Sequence, residues 1–182
     1  MPRVFLGLTL PEAVKDRLLT WTADIAGARW QRRDQLHLTL CFLGDVEPER
    51  MPALFRALDG LDAPAFTLEP AGVGCFGEPD KPRNLWVGVR PEEPVRTLHE
   101  VLCQRLSLAG FPVVAGHFYP HITLARFGRR QAGPASAFLD QYRDQPAPAF
   151  PVDGVRLFLS QPGPEGSRYQ QLAVFPLKDA RG

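Results

Sequence analysis

The sequence H-L-T-L occurs at residues 37–40, and the related sequence H-I-T-L occurs at residues 121–124. The chain has only four histidines, so half of them share one local context. In a β-strand, alternate side chains point to the same face. The His and Thr of each copy therefore face one way, and the aliphatic residues face the other way, towards a core. The repeat predicts two equivalent strands, each presenting an imidazole and a hydroxyl.

The repeat extends beyond four residues. The segment 37–44, H-L-T-L-C-F-L-G, aligns with 121–128, H-I-T-L-A-R-F-G, and each copy is followed by a proline-containing segment and a helix-like pattern. Such self-similarity indicates duplication of one structural unit. We expect a single domain over residues 1–182, built from two related lobes that each carry one H-x-T motif and face each other.

Hydrophobic spacing predicts seven strands and four helices in mixed order, which is typical of an α+β protein. The predicted strands are 4–9, 36–43, 66–68, 85–89, 121–127, 155–160 and 170–175. The first helix is predicted to begin at Pro11 and to continue to Ile25, with Trp21 on its buried face. The other helices are predicted after Pro48, from Pro94 and over 134–142. A loop is predicted around G-E-P-D-K-P-R at 77–83.

Composition sets limits on the class of protein. The 182 residues are 45% hydrophobic and 23% charged, with a net charge of +1, as in an ordinary globular protein without a basic face for long nucleic acid. Cys41, Cys75 and Cys103 are odd in number and form no C-x-x-C pair, which favours neither a disulfide framework nor a zinc ribbon. The sequence shows no signal-peptide pattern or apolar span, so we expect a cytoplasmic protein.

The paired motif suits chemistry at phosphate. Imidazole titrates near pH 6.5, so one histidine can accept a proton while the other donates one, and each such transfer contributes about 10²- to 10⁴-fold in rate. Thr39 and Thr123 add hydroxyls that hydrogen-bond to non-bridging oxygens. Arg126, just after the second motif, adds a charge-assisted donor.

Other interpretations of the histidines are weaker. Threonine is a poor zinc ligand, and His117 and His121 flank Tyr119-Pro120, where a helix is disfavoured, so we expect no metal site. His99 is predicted to be structural or exposed, and His117 to lie in a loop. The sequence contains no G-x-S-x-G elbow and no P-loop, which argues against a serine nucleophile or a Walker site.

The flanks of the motifs resemble those of a known family. Arg29-Trp30 precedes L-H-L-T-L-C-F-L-G, and F-Y-P-H-I-T-L-A-R-F and S-Q-P-G-P-E-G-S-R-Y-Q-Q-L follow later in the chain. These segments are similar to the 2H phosphoesterases, in particular to the RNA 2′,3′-cyclic phosphodiesterases, also called 2′-5′ RNA ligases. The resemblance implies a bilobal α+β fold, with antiparallel-rich sheets lining a central cleft, helices outside and a pseudo-twofold axis.

The resemblance also implies an activity and roles for residues. It implies hydrolysis of RNA or nucleotide 2′,3′-cyclic phosphate to a 2′-phosphomonoester, without metal or cofactor. His37 and His121 match the catalytic acid and base, and Thr39, Thr123 and Arg126 match phosphate-binding residues.

Several points stay open at this level. Arg126 is five residues beyond His121 and would face away from it in a regular strand, so either the strand ends or bulges near Ala125, or the side chain reaches around. Phe42, at the matching position, and Trp30 are candidates for stacking on a base, with core packing as the alternative. Which histidine is the base is undetermined. A 2′-5′ ligase, a 2′,5′-phosphodiesterase and a non-catalytic RNA-end binding module are the alternative functions, and we expect a monomer.

Overall fold

The computed structural model describes residues 2–113 and 116–179, and over these residues it contains nine strands and four α-helices. The elements are β1 (Arg3–Thr9), α1 (Glu12–Leu19), β2 (Ala28–Trp30), β3 (His37–Asp45), α2 (Met51–Leu58), β4 (Phe66–Glu78), β5 (Lys81–Arg90), α3 (Glu93–Leu108), β6 (His121–Phe127), α4 (Ser136–Tyr142), β7 (Phe150–Val152), β8 (Gly154–Gln161) and β9 (Arg168–Pro176). The predicted α+β class is confirmed.

One sheet connects all the strands. Their order is β7-β4-β5-β6-β3-β1-β8-β9, with β2 added beside β6, and neighbouring strands run antiparallel. The two histidine strands β3 and β6 lie at the centre, where they pair only at Leu38 and Ile122. One side of this junction holds β1, β3, β8 and β9, and the other holds the remaining strands.

The central pair places both motifs on one face of the sheet. Leu38 and Ile122 lie opposite each other, and both are fully buried. Because side chains alternate along a strand, the histidine and threonine on either side of each buried residue point to the opposite face. The two H-x-T motifs therefore face the same side of the molecule, within adjacent strands.

Aliphatic burial holds the histidine strands in place. Leu40 and Leu124 are buried beside Leu38 and Ile122, in the hydrophobic core. Helix α3 contributes a buried stripe to this core, and it packs against α2 and β3. The residues of the stripe are Val95, Leu98, Leu102 and Leu106. Since burial of each large aliphatic side chain stabilises by about 1.5–3 kcal/mol, these positions anchor both motifs firmly.

Three sequence predictions need correction. Helix α1 ends at Leu19 rather than near Ile25, and Trp21 is buried beyond the helix end, stacked on Tyr142 with ring centroids 5.7 Å apart. Burial of Trp21 thus reflects tertiary packing, not helical periodicity.

The predicted loop around residues 77–83 is instead the tip of a long hairpin, because β4 extends to Glu78 and β5 begins at Lys81. The three-residue strands β2 and β7 escaped prediction because they are too short for an alternating pattern.

No helix among the described residues is long and apolar enough to span a membrane.

Candidate active site

Both histidine strands contain a β-bulge at the same position. On β3, Cys41 pairs with Leu6 and Thr39 pairs with Gly7, so Leu40 is an extra residue. On β6, Ala125 pairs with Leu85 and Thr123 pairs with Trp86, so Leu124 is the extra residue. A bulge shifts the alternation of side chains by one.

The bulge in β6 answers the question about Arg126. With one extra residue between them, Arg126 and His121 point to the same face, and both line one cavity. Phe42 reaches the same cavity through the equivalent bulge in β3. Of the arrangements considered from the sequence, the bulge near Ala125 is the correct one.

His37 is held in one orientation by two residues close to it in the chain. Its Nδ1 lies 2.7 Å from the carbonyl oxygen of Gln35, and its Nε2 lies 2.8 Å from the Thr39 hydroxyl. Because a carbonyl only accepts, Nδ1 carries the proton and Nε2 accepts from Thr39. Burial lowers the pKa of His37 to about 4, and the nearby positive charge of Arg126 acts in the same direction. The imidazole is therefore neutral at pH 7.

His121 repeats this arrangement on the second strand. Its Nδ1 lies 2.7 Å from the carbonyl oxygen of Tyr119, again two residues earlier in the chain. Nδ1 is the donor here too, which leaves Nε2 as the basic nitrogen. Burial lowers the pKa of His121 as well, and the positive charge of Arg126 adds to this effect. The two imidazoles thus share one tautomer and one protonation state.

Aromatic rings fix the planes of both imidazoles. Tyr169 of β9 contacts His37 edge-on, with centroids 5.1 Å apart, and Phe5 of β1 lies 5.0 Å away. Phe76 of β4 makes the matching edge contact with His121 at 5.0 Å. Each ring comes from a strand distant in sequence, so the sequence offered no direct signal for these supports, although Tyr169 lies in the late segment quoted above.

A single cavity of about 400 Å³ joins the two motifs. It is lined by both histidines, both threonines and Arg126, together with Phe42 and Asn84. The predicted convergence of these polar residues on one cavity is therefore present in the structure. Asn84 lies opposite Arg126 on β5, and its amide oxygen accepts the Phe76 backbone N–H at 3.0 Å.

The two candidate stacking residues lie in different places. Phe42 is 58% exposed and lines the cavity with the histidines, so its ring face is available to a ligand. Trp30 is partly buried against Phe138, with centroids 5.5 Å apart, and lines a neighbouring cavity. Arg126 lines both cavities and so lies between them.

His99 and His117 also line the main cavity, which sequence reasoning did not anticipate. His117 lies outside helices and strands, as predicted. His99 stacks on Phe118 with centroids 4.0 Å apart, and its Nδ1 lies 2.8 Å from the carbonyl oxygen of Leu40. That carbonyl belongs to the bulged residue of β3. In β6, the bulged Leu124 carbonyl is satisfied instead by a backbone N–H, that of Gln31, at 2.9 Å.

The fold and this constellation define a phosphoesterase with paired histidines, and comparisons with known proteins agree. The family model "LigT like Phosphoesterase" matches the chain twice, over residues 8–86 and 87–169. The chain therefore belongs to the LigT-like phosphoesterase family, and the resemblance to the 2H phosphoesterases is confirmed.

Curated relatives carry one name. A Geobacillus stearothermophilus protein named RNA 2′,3′-cyclic phosphodiesterase is 30% identical over 97% of this chain, which spans only 57% of that protein's length. An Archaeoglobus fulgidus protein of the same name is 27% identical, over 95% of this chain and 99% of its own. A Thermus thermophilus protein of the same name is 31% identical, over 99% of this chain and 92% of its own length.

Solved structures share the architecture. Escherichia coli LigT in its apo form superposes with a TM-score of 0.79 at 27% identity, covering 97% of this chain and 98% of LigT. The crystal structure of LigT complexed with 3′-AMP gives a TM-score of 0.78 at 26% identity, and the match covers 98% of this chain and 99% of LigT. These matches extend over nearly the whole chain.

Proposed function

We propose that this protein hydrolyses the 2′,3′-cyclic phosphate of RNA ends or nucleotides to a 2′-phosphomonoester. The observation that carries the proposal is the matched pair of imidazoles, each fixed through Nδ1 to a carbonyl oxygen, that line one cavity with two threonines and Arg126. The relatives named RNA 2′,3′-cyclic phosphodiesterase, and the binding of 3′-AMP by LigT, support the substrate class.

The reaction needs one proton acceptor and one proton donor. One histidine takes a proton from water, whose oxygen attacks phosphorus, while the P–O3′ bond breaks and the other histidine protonates the 3′ oxygen. The products are a 2′-phosphate and a free 3′-hydroxyl, and the two histidines exchange their protonation states. Since both imidazoles are neutral in the free protein, the negative phosphate supplies the charge that raises the pKa of the donor.

The other cavity residues bind the anion in this proposal. Thr39 and Thr123 donate hydroxyl hydrogens to the non-bridging oxygens, and Arg126 adds a charge-assisted hydrogen bond that strengthens as charge develops. Binding of substrate would redirect the Thr39 hydroxyl from His37 Nε2 to the phosphate, which frees that nitrogen for proton transfer. None of these residues requires a metal or a cofactor for its role.

The RNA itself would extend beyond the phosphate. Phe42 offers an exposed ring on which any base can stack. Trp30 lines the adjacent cavity, where it would contact the chain beyond the terminal nucleotide. We further propose that the protein acts as a monomer in the cytoplasm, built as one domain from two duplicated lobes.

The test is hydrolysis of 2′,3′-cyclic nucleotides and of a short RNA ending in a cyclic phosphate, with product phosphates assigned by ³¹P NMR. We expect 2′-phosphate, unchanged by EDTA, and a loss of about 10²- to 10⁴-fold in rate in His37→Gln and in His121→Gln. Gln keeps a polar group of similar size but transfers no proton. The proposal would be refuted if the unaltered protein hydrolysed neither the cyclic nucleotides nor the RNA with a cyclic phosphate end. Joining of RNA ends or cleavage of 2′-5′ linkages as the dominant reaction would refute it as well.

A further inference from the structure

A second cluster of reactive side chains lies beside the same cavity, and two of its three members line it. It consists of Cys41 on β3 and of His99 and Cys103 on α3. His99 and Cys103 are four residues apart on the helix, so they share the face that packs on β3. The potential ligand atoms of the three residues all lie within 4.8 Å of one another. The proposed hydrolysis uses none of the three.

Two distances in this cluster approach those of a metal site. The Sγ of Cys41 lies 3.7 Å from His99 Nδ1, and the Sγ of Cys103 lies 3.9 Å from the same nitrogen and 3.4 Å from Nε2. In a tetrahedral zinc site, metal–sulfur distances of about 2.3 Å and metal–nitrogen distances of about 2.0 Å place sulfur and nitrogen about 3.5 Å apart. Closing the three atoms around a cation therefore requires the Cys103 side chain to move from the Nε2 side of the imidazole towards Nδ1.

The imidazole of His99 is already held in place. Phe118 stacks on it with an interplanar angle of 8°, which fixes the plane of the ring. Its Nδ1 hydrogen bonds to the Leu40 carbonyl oxygen, next to Cys41 in the chain. Cys41 and His99 line the cavity, so a cation at this position would have an open side towards solvent.

We propose that Cys41, His99 and Cys103 bind a single divalent cation of the zinc type, with its fourth coordination position open to the cavity. Two thiolates and an imidazole favour zinc-like ions over magnesium or calcium, which prefer oxygen ligands. On binding, each thiol releases its proton to solvent. The imidazole proton moves from Nδ1 to Nε2, and the cation replaces the hydrogen bond from Nδ1 to Leu40.

The experiment uses the full-length protein, reduced, freed of metal with EDTA and desalted, and titrated with Co²⁺ as a spectroscopic probe. We expect one equivalent of Co²⁺ to produce a thiolate-to-cobalt charge-transfer band, and Zn²⁺ to abolish it by displacement. Cys103→Ser removes one ligand at a partly exposed position, where a serine is well tolerated. Removing a group that only hydrogen-bonds to a metal ligand weakens metal binding by about 10- to 100-fold. Removing a ligand itself should therefore weaken Co²⁺ binding by at least about 100-fold.

Cys75→Ser is the matched control. Cys75 is also partly exposed, but it lies on β4 with its Sγ beside the Gly77 carbonyl oxygen. This variant should bind Co²⁺ like the unaltered protein. In the unaltered protein, Zn²⁺ should also protect Cys103, but not Cys75, from alkylation by iodoacetamide, a measurement that needs no variant.

Two results would overturn the metal site: no thiolate band in the unaltered protein, or an equal band in Cys103→Ser. Cobalt bound only by His37 and His121 would give no thiolate band and would count against it too. These readouts do not use hydrolysis, so the metal site and the proposed function succeed or fail separately.

Discussion

Leu40 and Leu124 occupy the same position in two different strands, and each is the extra residue of a β-bulge three positions after a histidine. Because of these bulges, Phe42 points to the same face of the sheet as His37, and Arg126 points to the same face as His121. The two strands thus carry different side chains to equivalent positions. Strand β3 contributes an aromatic ring to the cavity, and β6 contributes a guanidinium.

Arg126→Ala should lower kcat/KM for a 2′,3′-cyclic nucleotide. Loss of one hydrogen-bond donor to a developing anion lowers the rate by about 10²- to 10³-fold. Arg126→Lys should recover part of this loss, because lysine keeps the positive charge but lacks the two parallel hydrogen bonds of a guanidinium. Steady-state kinetics on both variants check the prediction. Arg129→Ala, an exposed arginine three residues further on, is the control and should be nearly unchanged. Equal losses in Arg126→Ala and Arg129→Ala would show that only overall charge matters.

Phe42→Ala should raise KM while leaving kcat nearly unchanged. Stacking of a base on an aromatic ring contributes about 1–3 kcal/mol, so KM should rise roughly tenfold. The comparison is with Leu108→Ala, which removes another exposed hydrophobic side chain, 83% exposed, at the end of α3. That variant should behave like the unaltered protein. An unchanged KM in Phe42→Ala would exclude the stacking role.

The unfolding free energy should decrease as the pH falls, partly through His37. The pKa of His37 is about 4 in the folded protein and about 6.5 in the unfolded chain, so between these values the unfolded chain binds more protons. The contribution of His37 to the stability is therefore complete above about pH 6.5 and is lost as the pH approaches 4, with a change of about 3 kcal/mol from this group.

Urea unfolding of His37→Gln at pH 7.5 and 4.5 measures that contribution. The variant should lose less stability on acidification than the unaltered protein, because glutamine does not titrate. His117→Gln, which removes an exposed histidine, should retain the full dependence. If His37→Gln also retains it, the buried imidazole is not the source.

Gly7→Ala should destabilise the protein. Gly7 pairs with Thr39, and a Cβ added there would lie 2.9 Å from the Leu38 carbonyl oxygen, a backbone atom of the histidine strand. Relief of this overlap requires β1 and β3 to separate, which costs about 1–3 kcal/mol of unfolding free energy. In Gly128→Ala, the added Cβ would meet no atom within 4 Å. Thermal or urea unfolding should separate the two variants, and equal stability would contradict the tight approach.

Much of the fold was predictable from local pattern. The aliphatic residues of the two motifs predicted β3 and β6, and the stripe on α3 predicted its buried face, because both patterns reflect burial of one side of a regular element. Prediction failed where tertiary contacts outweigh local signals. Trp21 continues the helical spacing of α1, yet it lies beyond the helix and packs on Tyr142.

The sequence by itself determined the chemical groups of the candidate site, since H-x-T places an imidazole and a hydroxyl on one face of any strand that buries its leucines. The tertiary structure decided how these groups meet. The pairing of Leu38 with Ile122 brings the motifs together, and the bulges at Leu40 and Leu124 turn Phe42 and Arg126 inward. Both features depend on the register between strands far apart in the chain, and alternation within a single strand does not specify that register.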